Sequence, residues 1–567
     1  MSKSIEVLDR KVDMDMYNSL IARGKKPHIS HLYAARGLSS VDEMEYKVPL
    51  EPSDGMGHMK EAVDIIVKVV RDGLKVVIVG DYDVDGATST AICMRFFREY
   101  GVDVKYLIPS RFKEGYGISR TLVDEALRID ADVIITVDNG VVAFDAVRYA
   151  VDKGLTVVVT DHHAAHVESG RVVLPCAHAV VNPVAHGNFK YPHTCGAGVI
   201  FYTLHTADKE LRDLGVHIKW GDLIQLVGLA TVCDMVPLHY NNRLLVLESL
   251  KRVRKTPLPG VQALLEIAGV QSGMIDESSY GFFVGPRINA AGRLNDMSVG
   301  VETLLSSSID EARDRAADLQ GLNTQRRDIE SEMLDSALGV YDHMGSNPRV
   351  KTIVAYKDDW HEGVVGLLAS RLKERYARPV IALCLSEKDV MKGSARSIDG
   401  FNIRDALSEM KSRYPESIIQ FGGHAMAAGL SIPKDSYADF SSKWTEVVES
   451  LWTSELDRTI IWTDGEWRRE WHNLDSVREI LDAGPWGTGF PSPVYRGRFE
   501  IKSTFTMKEI HSKFKLKFHN MIVDGVKFRQ TFASNPSFID CTFSPAINRW
   551  NGSESIQFMI HHIHDIM

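Results

Sequence analysis

Between residues 75 and 182, short runs of valine and isoleucine alternate with helical patterns, and no other stretch of the chain narrows the possible folds so far. KVVIVG (75–80) reads as a strand, DYDVDG (81–86) as a loop and ATSTAICMRFFREY (87–100) as a helix. VDVKYLI (102–108), ADVIITV (131–137) and LTVVVT (155–160) read as further strands, with helices expected over TLVDEALRI (121–129) and around Ala143 to Lys153. β-Branched strands recurring about every 25–30 residues with crossover helices between them imply a doubly wound parallel sheet.

Such sheets bind their ligands in the crevice beyond the carboxyl ends of the strands. Asp81, Asp83 and Asp85 follow the first strand, Asp138 (TVDNG) the third, and Asp161, His162 and His163 (VTDHHA) the fourth. These side chains are expected to converge. Asp234 ends an otherwise apolar helix in GLATVCDMVPL. Carboxylates in one crevice repel each other by about 4 kcal/mol per close pair at a protein's effective dielectric, unless cations neutralise them. Mixed aspartate and histidine ligands suit an octahedral ion, favouring Mn²⁺ and allowing Mg²⁺, while the lack of cysteine ligands argues against structural zinc. With this many acids, two ions are expected. A single aspartate after a strand is equally well explained as a helix N-cap, which leaves Asp85 and Asp161 open individually. The joint occurrence of GDYDVDG, DNG, DHH and CDMVPL is far more specific.

The 567 residues leave room for three or four domains at about 150 residues each. A composition of 44% hydrophobic and 25% charged residues excludes disordered and fibrous classes. The longest apolar stretch, Leu223 to Cys233, is too short to span a bilayer and contains Gln225, so a soluble chain without membrane contact is expected. The N-terminus has no apolar signal core and carries acids, pointing to the cytoplasm. The six cysteines are scattered without a C-x-x-C pair and read as buried free thiols. A net charge of −9 gives no global attraction for nucleic acid, so any polyanion must be met by a local basic groove.

After Asn182-Pro183 the pattern is helical, with helices expected over Ala197 to Leu214, Gly221 to Cys233 and Asn242 to Val253. Ile309 to Tyr341 is polar with heptad-like apolar spacing and reads as one or two long connecting helices. A second α/β pattern begins at Arg349, and aromatic-rich alternating segments after about residue 455 suggest a small antiparallel β-barrel. The resulting division is an N-terminal extension (1–45) whose sequence gives no reading, a domain over 46–300, a connector over 301–345, a domain over 346–454 and a barrel over 455–567. Lys513, Lys515 and Lys517 alternate with Phe514, Leu516 and Phe518, as in a barrel wall with a basic outer stripe. That stripe fits single-strand binding, and a purely structural barrel fits the same pattern.

GDYDVDGATST, SRFKEGYG, TVDNG, DHH, ATVCDMVPL, GPRINAAGR and LNTQRR resemble the DHH phosphoesterases, and within them the RecJ single-strand DNA exonucleases. The resemblance implies an α/β, two-lobed DHH phosphoesterase fold: a parallel-sheet DHH domain and a DHH-associated domain joined by a long helix, with a C-terminal OB-like β-barrel. Carried over by resemblance, the metal ligands are Asp83, Asp85, Asp138, His162 and Asp234. The superfamily's first histidine position is Val79 here, and Asp81 is expected to take its place. Asp138 is the expected bridging carboxylate between two cations, which would stabilise the attacking and leaving oxygens of a phosphodiester hydrolysis. His163 would lie beside the scissile phosphate, and Asp161 would hold an imidazole in the right tautomer.

GSARS (393–397) and FGGHAMAAGL (421–430) resemble the DHH-associated domain, where a Gly-rich loop, here Gly422 and Gly423, lets the backbone approach a phosphate. His424 is expected to reach the scissile group across the cleft, although GGH alone also fits a tight turn with a surface histidine. The resemblance places Arg111, Ser394 and Arg396 at a terminal phosphate and Arg287 on the strand's backbone, against the commoner fate of arginine in surface ion pairs. Asn323, Gln325, Arg326 and Arg327 fit either the strand's path or a solvated helix face. The implied activity is 5′→3′ hydrolysis of single-stranded DNA to 5′-mononucleotides in DNA repair and recombination, by a monomer working beside a helicase and a single-strand-binding protein. The alternatives are a phosphodiesterase for short oligonucleotides or cyclic dinucleotides and a non-catalytic single-strand-binding relative.

Overall fold

The computed structural model describes residues 4–566 apart from 113–114, 348, 387–389, 508–509 and 533–536. Lys113 and Glu114 of the SRFKEGYG segment therefore lie outside the described residues. The chain forms two compact units, one chiefly of Pro52–Asp234 and Glu248–Arg458, the other of Ile5–Glu51, Met235–Leu247 and Thr459–Met567. No helix among the described residues is long and apolar enough to cross a membrane.

The parallel sheet of the first unit and its crossover helices comprise β1 (Val76–Val79), α1 (Val84–Glu99), β2 (Val104–Leu107), α2 (Arg120–Arg128), β3 (Val133–Val137), α3 (Phe144–Asp152), β4 (Thr156–Thr160) and β5 (Ala179–Val181). The five strands pair in parallel in the order β2-β1-β3-β4-β5. Every residue of β1 and β3 is buried, which is why they read as continuous apolar runs instead of alternating ones. The order reverses between β1 and β3, so the crevice falls at their carboxyl ends. β5 is a fifth strand, absent from the sequence reading.

The helical segment includes α4 (Gly196–Glu210), α5 (Trp220–Cys233) and α6 (Gly285–Leu294). The connector is one continuous helix, α7 (Ile309–Ser346), of 38 residues. Its buried positions run Ala312, Ala316, Leu319, Asn323, Arg326, Glu330, Met333, Ala337 and Tyr341, a seam at steps of three or four. Asn323 and Arg326 are therefore interior: Arg326 donates to Asn323 Oδ1 at 2.6 Å and to Glu330, which also accepts from Arg371 at 2.7 Å. Gln325 and Arg327 remain on the exposed face.

Beyond α7 come β6 (Ile353–Tyr356), α8 (Val365–Tyr376), β7 (Val380–Leu385), β8 (Val390–Arg396), β9 (Gln420–Gly423) and β10 (Ala427–Pro433). They form a sheet of order β9-β10-β8-β7-β6 in which only β6 and β7 run parallel. The expected Gly-rich loop is corrected here. Gly422 and Gly423 belong to β9 and pair with Gly429 and Ala428, and Ser394 and Arg396 end β8. The antiparallel ladder with β10, the next strand in the chain, supplies the order that glycines lack by themselves. At Gly423, with φ +141°, a Cβ would lie 2.4 Å from the Ala427 carbonyl, so no other residue fits.

The second unit holds a closed barrel of β11 (Tyr495–Met507), β12 (His511–Phe518), β13 (Met521–Lys527), β14 (Phe538–Trp550) and β15 (Ser553–Ile566), in the order β11-β12-β13-β15-β14. Phe514 and Leu516 of β12 point into a core with Trp467, Phe499, Phe543 and Phe558, while the lysines between them face outward. That basic stripe is neutralised within the barrel: Lys513 and Lys515 pair with Asp524 at 2.9 and 2.5 Å, and Lys517 with Glu500 at 3.1 Å. Residues from the N-terminal segment complete this core. Leu32 joins the barrel cluster, and the buried Arg36 guanidinium forks onto the buried Asp464 carboxylate at 2.8 and 3.0 Å.

Candidate metal centre and phosphate pocket

The loop between β1 and α1 is shaped by Asp83, which caps α1 by accepting from the Gly86 amide at 3.1 Å. The capping role thus falls to Asp83, and Asp85 is free for another. A Cβ on Gly86 would lie 2.4 Å from the Asp81 carbonyl, so only glycine lets the loop close. The first two amides of α4, Gly196 and Ala197, donate to the two Asp85 oxygens at 2.6 and 2.7 Å, an N-terminal anion cradle filled by a side chain of the same protein. A Cβ on Gly196 would stand 2.6 Å from Asp138 Cβ. Asp138 has φ +62°, and Asn139 pins the turn by donating to Val79 and Val137 carbonyls at 3.0 and 2.9 Å. Val79 itself is fully buried in β1 and offers no ligand atom, whereas Asp81 two residues on faces the cluster.

Asp81, Asp83, Asp85, Asp138, His162, His163 and Asp234 meet in one place. Three sets, Asp138 with His162 and His163, Asp85 with His162 and Asp234, and Asp81 with Asp83 and Asp138, each bring their ligand atoms within 4.8 Å of one another. Asp138 and His162 each belong to two sets. His162 Nε2 stands 3.1 Å from Asp138, 3.6 Å from Asp234 and 3.7 Å from Asp85. Asp81 Oδ1, Asp138 Oδ1 and His162 Nε2 are buried without a hydrogen-bond partner. Orphaned acceptors and an imidazole nitrogen aimed at a common point fit divalent cations, because burying such groups unpaired is otherwise costly.

The electrostatics agree. Burial first, and neighbouring carboxylates second, hold the pKa values of Asp81, Asp85, Asp138 and Asp234 well above the usual range. Asp161 departs from them: burial raises it, but the charged His163 draws it down to about 2. Against burial, which lowers it, the Asp161 carboxylate at 2.8 Å raises His163 to about 9. Burial and the charged His163 push His162 down to about 3, keeping its imidazole neutral as a ligand must be. Asp161 is fixed by the amides of Val141, His162 and His163 at 2.9, 2.8 and 3.1 Å. Tyr116, missed in the sequence reading, donates to the Asp138 carbonyl at 2.8 Å and contacts His163 Nδ1 at 3.0 Å.

His424, the residue after β9, lies parallel to His163 with ring centroids 6.3 Å apart. Near Asp81 and Asp83 is a group of arginines. Arg111 stacks over Tyr82 at 3.9 Å and donates to the Gly292 carbonyl, and Arg396 donates to Ser394 Oγ at 2.7 Å. Arg293 is the third member. Burial, then Arg111 and Arg396, push its guanidinium down to about 9. None of the three makes an ion pair among the described residues, which leaves their charge uncompensated by a carboxylate. Arg293 sits in the GPRINAAGR motif, yet nothing in its spacing distinguishes it from Arg287. Gly422 is open on its Cβ side, with no atom within 4 Å. Arg287 is buried on α6, donates to the Phe283 carbonyl and has an unpartnered Nε.

Residues 75–227 match the DHH family, N-terminal domain, 349–450 the DHHA1 domain and 463–562 the RecJ OB domain. The single-stranded-DNA-specific exonuclease RecJ of Haemophilus influenzae is 37% identical over 95% of this chain and 96% of its own length, and that of Escherichia coli is 37% identical over the same shares. The crystal structure of RecJ in complex with Mn²⁺ from Thermus thermophilus matches with a TM-score of 0.84 at 26% identity, covering 99% of this chain and 79% of that one. An acid-rich crevice at the switch point of a parallel sheet, a second lobe bearing His424 and a closed barrel thus coincide with sequence identity along almost the whole length, and the chain belongs to the RecJ family of DHH phosphoesterases.

Proposed function

We propose that the chain is a single-stranded-DNA exonuclease that hydrolyses phosphodiester bonds from the 5′ end and releases 5′-mononucleotides. The observation that carries the reading is the cluster of orphaned buried acceptors around Asp138 and His162, flanked by arginines that have no carboxylate partner. Asp81, Asp83, Asp85, Asp138, His162 and Asp234 hold Mn²⁺ or Mg²⁺, which supply charge neutralisation and Lewis acidity toward a phosphodiester. The chain's own groups do the rest. Asp161 keeps His163 protonated and oriented, so that its ring can donate to a phosphoryl oxygen as negative charge develops there. His424 shields the same face, and Arg111, Arg293 and Arg396 with Ser394 hold the terminal phosphate and so set the polarity.

An enzyme confined to single strands depends on others to open duplex DNA. The reading therefore carries a cytoplasmic monomer with a helicase and a single-strand-binding protein as partners. A time course on 5′- and 3′-labelled single and double strands, with Mn²⁺, Mg²⁺ or chelator, tests it. Mononucleotides from the 5′ end of the single strand are expected, and Asp138→Ala should abolish Mn²⁺-dependent cleavage while sparing DNA binding. Cleavage confined to dinucleotides, or undiminished in Asp138→Ala, would overturn the reading.

A further inference from the structure

Ahead of α6, Ser279–Val284 form a single π-turn, a distortion that often marks a functional position in a helix. Its anchor is Tyr280, fully buried, whose hydroxyl bonds Ser249 at 2.9 Å. The next two aromatic side chains turn outward: Phe282 is 74% exposed and Phe283 40%. Exposed apolar residues are common on any surface, so exposure alone decides nothing.

Two further observations single out this pair. The turn is packed against the end of α5 that leads into Asp234: the Cys233 thiol donates to the Tyr280 carbonyl, and a Cβ on Gly285 would lie 2.5 Å from Cys233 Sγ. The turn that carries the phenylalanines is thus held against the residue preceding the candidate ligand Asp234. The flanking cations are also unsatisfied. Arg287 donates to the Phe283 carbonyl, its Nε has no partner, and the nearby charge acting on it is that of Arg327, another arginine. Neither arginine forms an ion pair with a carboxylate among the described residues. Aromatic faces beside unpaired arginines, next to a phosphodiester-cleaving centre, match the chemistry of an unpaired nucleotide: a base with a free π-face and a phosphate on either side.

We propose that Phe282, with Phe283 beside it, is a stacking platform for one base of the strand near the scissile bond, while Arg287 and Arg327 hold the phosphates of the same stretch. The inference rests on single-stranded DNA being the substrate. In a duplex both faces of each base are already covered by its neighbours, so the platform favours single strands.

The test uses the full-length protein with Phe282→Ala, Phe282→Leu and Phe282→Trp. Kd is measured for a 5′-phosphorylated single strand in Ca²⁺, alongside KM and kcat in Mn²⁺. One abasic nucleotide is then walked from the second to the eighth position of the strand. Phe282→Ala is expected to weaken binding by about 5- to 100-fold, the value of one base–aromatic stack, and Phe282→Trp to restore it. KM should rise by the same factor with kcat changed less than about twofold. One abasic position should cost the unsubstituted protein that factor and cost Phe282→Ala nothing, as coupled partners require. Unchanged Kd in Phe282→Ala, full rescue by Phe282→Leu, or an abasic penalty that persists in Phe282→Ala would each overturn the platform. Failure of the unsubstituted protein to degrade the strand would instead overturn the function proposed above, and the binding measurements separate the two.

Discussion

Asp161 offers no atom to the candidate ligand sets, yet three backbone amides and the His163 ring converge on it. Its work is to keep a neighbouring imidazole charged and aimed. Asp161→Asn retains the shape and loses the charge, so kcat at saturating Mn²⁺ should fall by about 10- to 100-fold with KM for the strand little changed. An unchanged kcat would show that His163 needs no carboxylate. Single residues of this kind were legible in the sequence when they followed a valine-rich strand, because the sheet's geometry fixes where a strand ends. Asp81, Asp138 and Asp161 were found that way. Tyr116 and Arg293 were not, since their part comes from a hydroxyl meeting the Asp138 carbonyl and from two other arginines far away in the chain.

Elements position these groups by close backbone approach. Helix α6 lies so near the β1–α1 loop that a Cβ on Gly292 would stand 2.0 Å from the Tyr82 carbonyl, between Asp81 and Asp83. Gly292→Ala must push helix or loop aside, and Mn²⁺ affinity measured by calorimetry should drop by about 10- to 100-fold, as when a ligand's support is lost. Undiminished affinity would show that the loop tolerates the shift. In the barrel, β12 and β13 are tied by Asp524. Burial raises its pKa, but the Lys515 and Lys513 ammoniums outweigh burial and lower it. A lowered folded value means that the contribution is present above the ordinary aspartate range and lost as pH falls through the folded one. Asp524→Asn should therefore lower the barrel's stability at neutral pH by no more than about 1 kcal/mol for a part-exposed pair, read in a melting curve, and the difference from the parent should vanish as pH falls through the lowered folded value. The alternation in β12 was readable, whereas the acids that neutralise its lysines sit on partner strands that periodicity does not identify. The strand character of Gly422 and Gly423 was hidden for the same reason.

At the scale of the whole molecule, the second unit is assembled from three stretches of chain separated by hundreds of residues. That is why residues 1–45 yielded no reading: their apolar positions match a surface formed by residues after 459, not a repeat of their own. Leu32 is 1% exposed and Tyr33 5%, the Tyr33 hydroxyl donates to the Ala483 carbonyl at 2.8 Å, and Arg36 depends on Asp464. Ending the chain after Arg458 would strip all of these partners at once. A buried guanidinium left without its carboxylate costs about 3–5 kcal/mol on its own, and the uncovered apolar residues add to that. Residues 5–51 should then unfold, seen as strong dye binding to exposed apolar surface and as rapid proteolysis confined to that segment and residues 235–247. Every candidate metal ligand lies between Asp81 and Asp234, in the first unit, so Mn²⁺ should still bind. A shorter chain of residues 52–458 should bind less dye than residues 1–458, because it no longer carries the orphaned segment. If residues 1–458 resist protease as the full chain does, the N-terminal segment folds without the barrel.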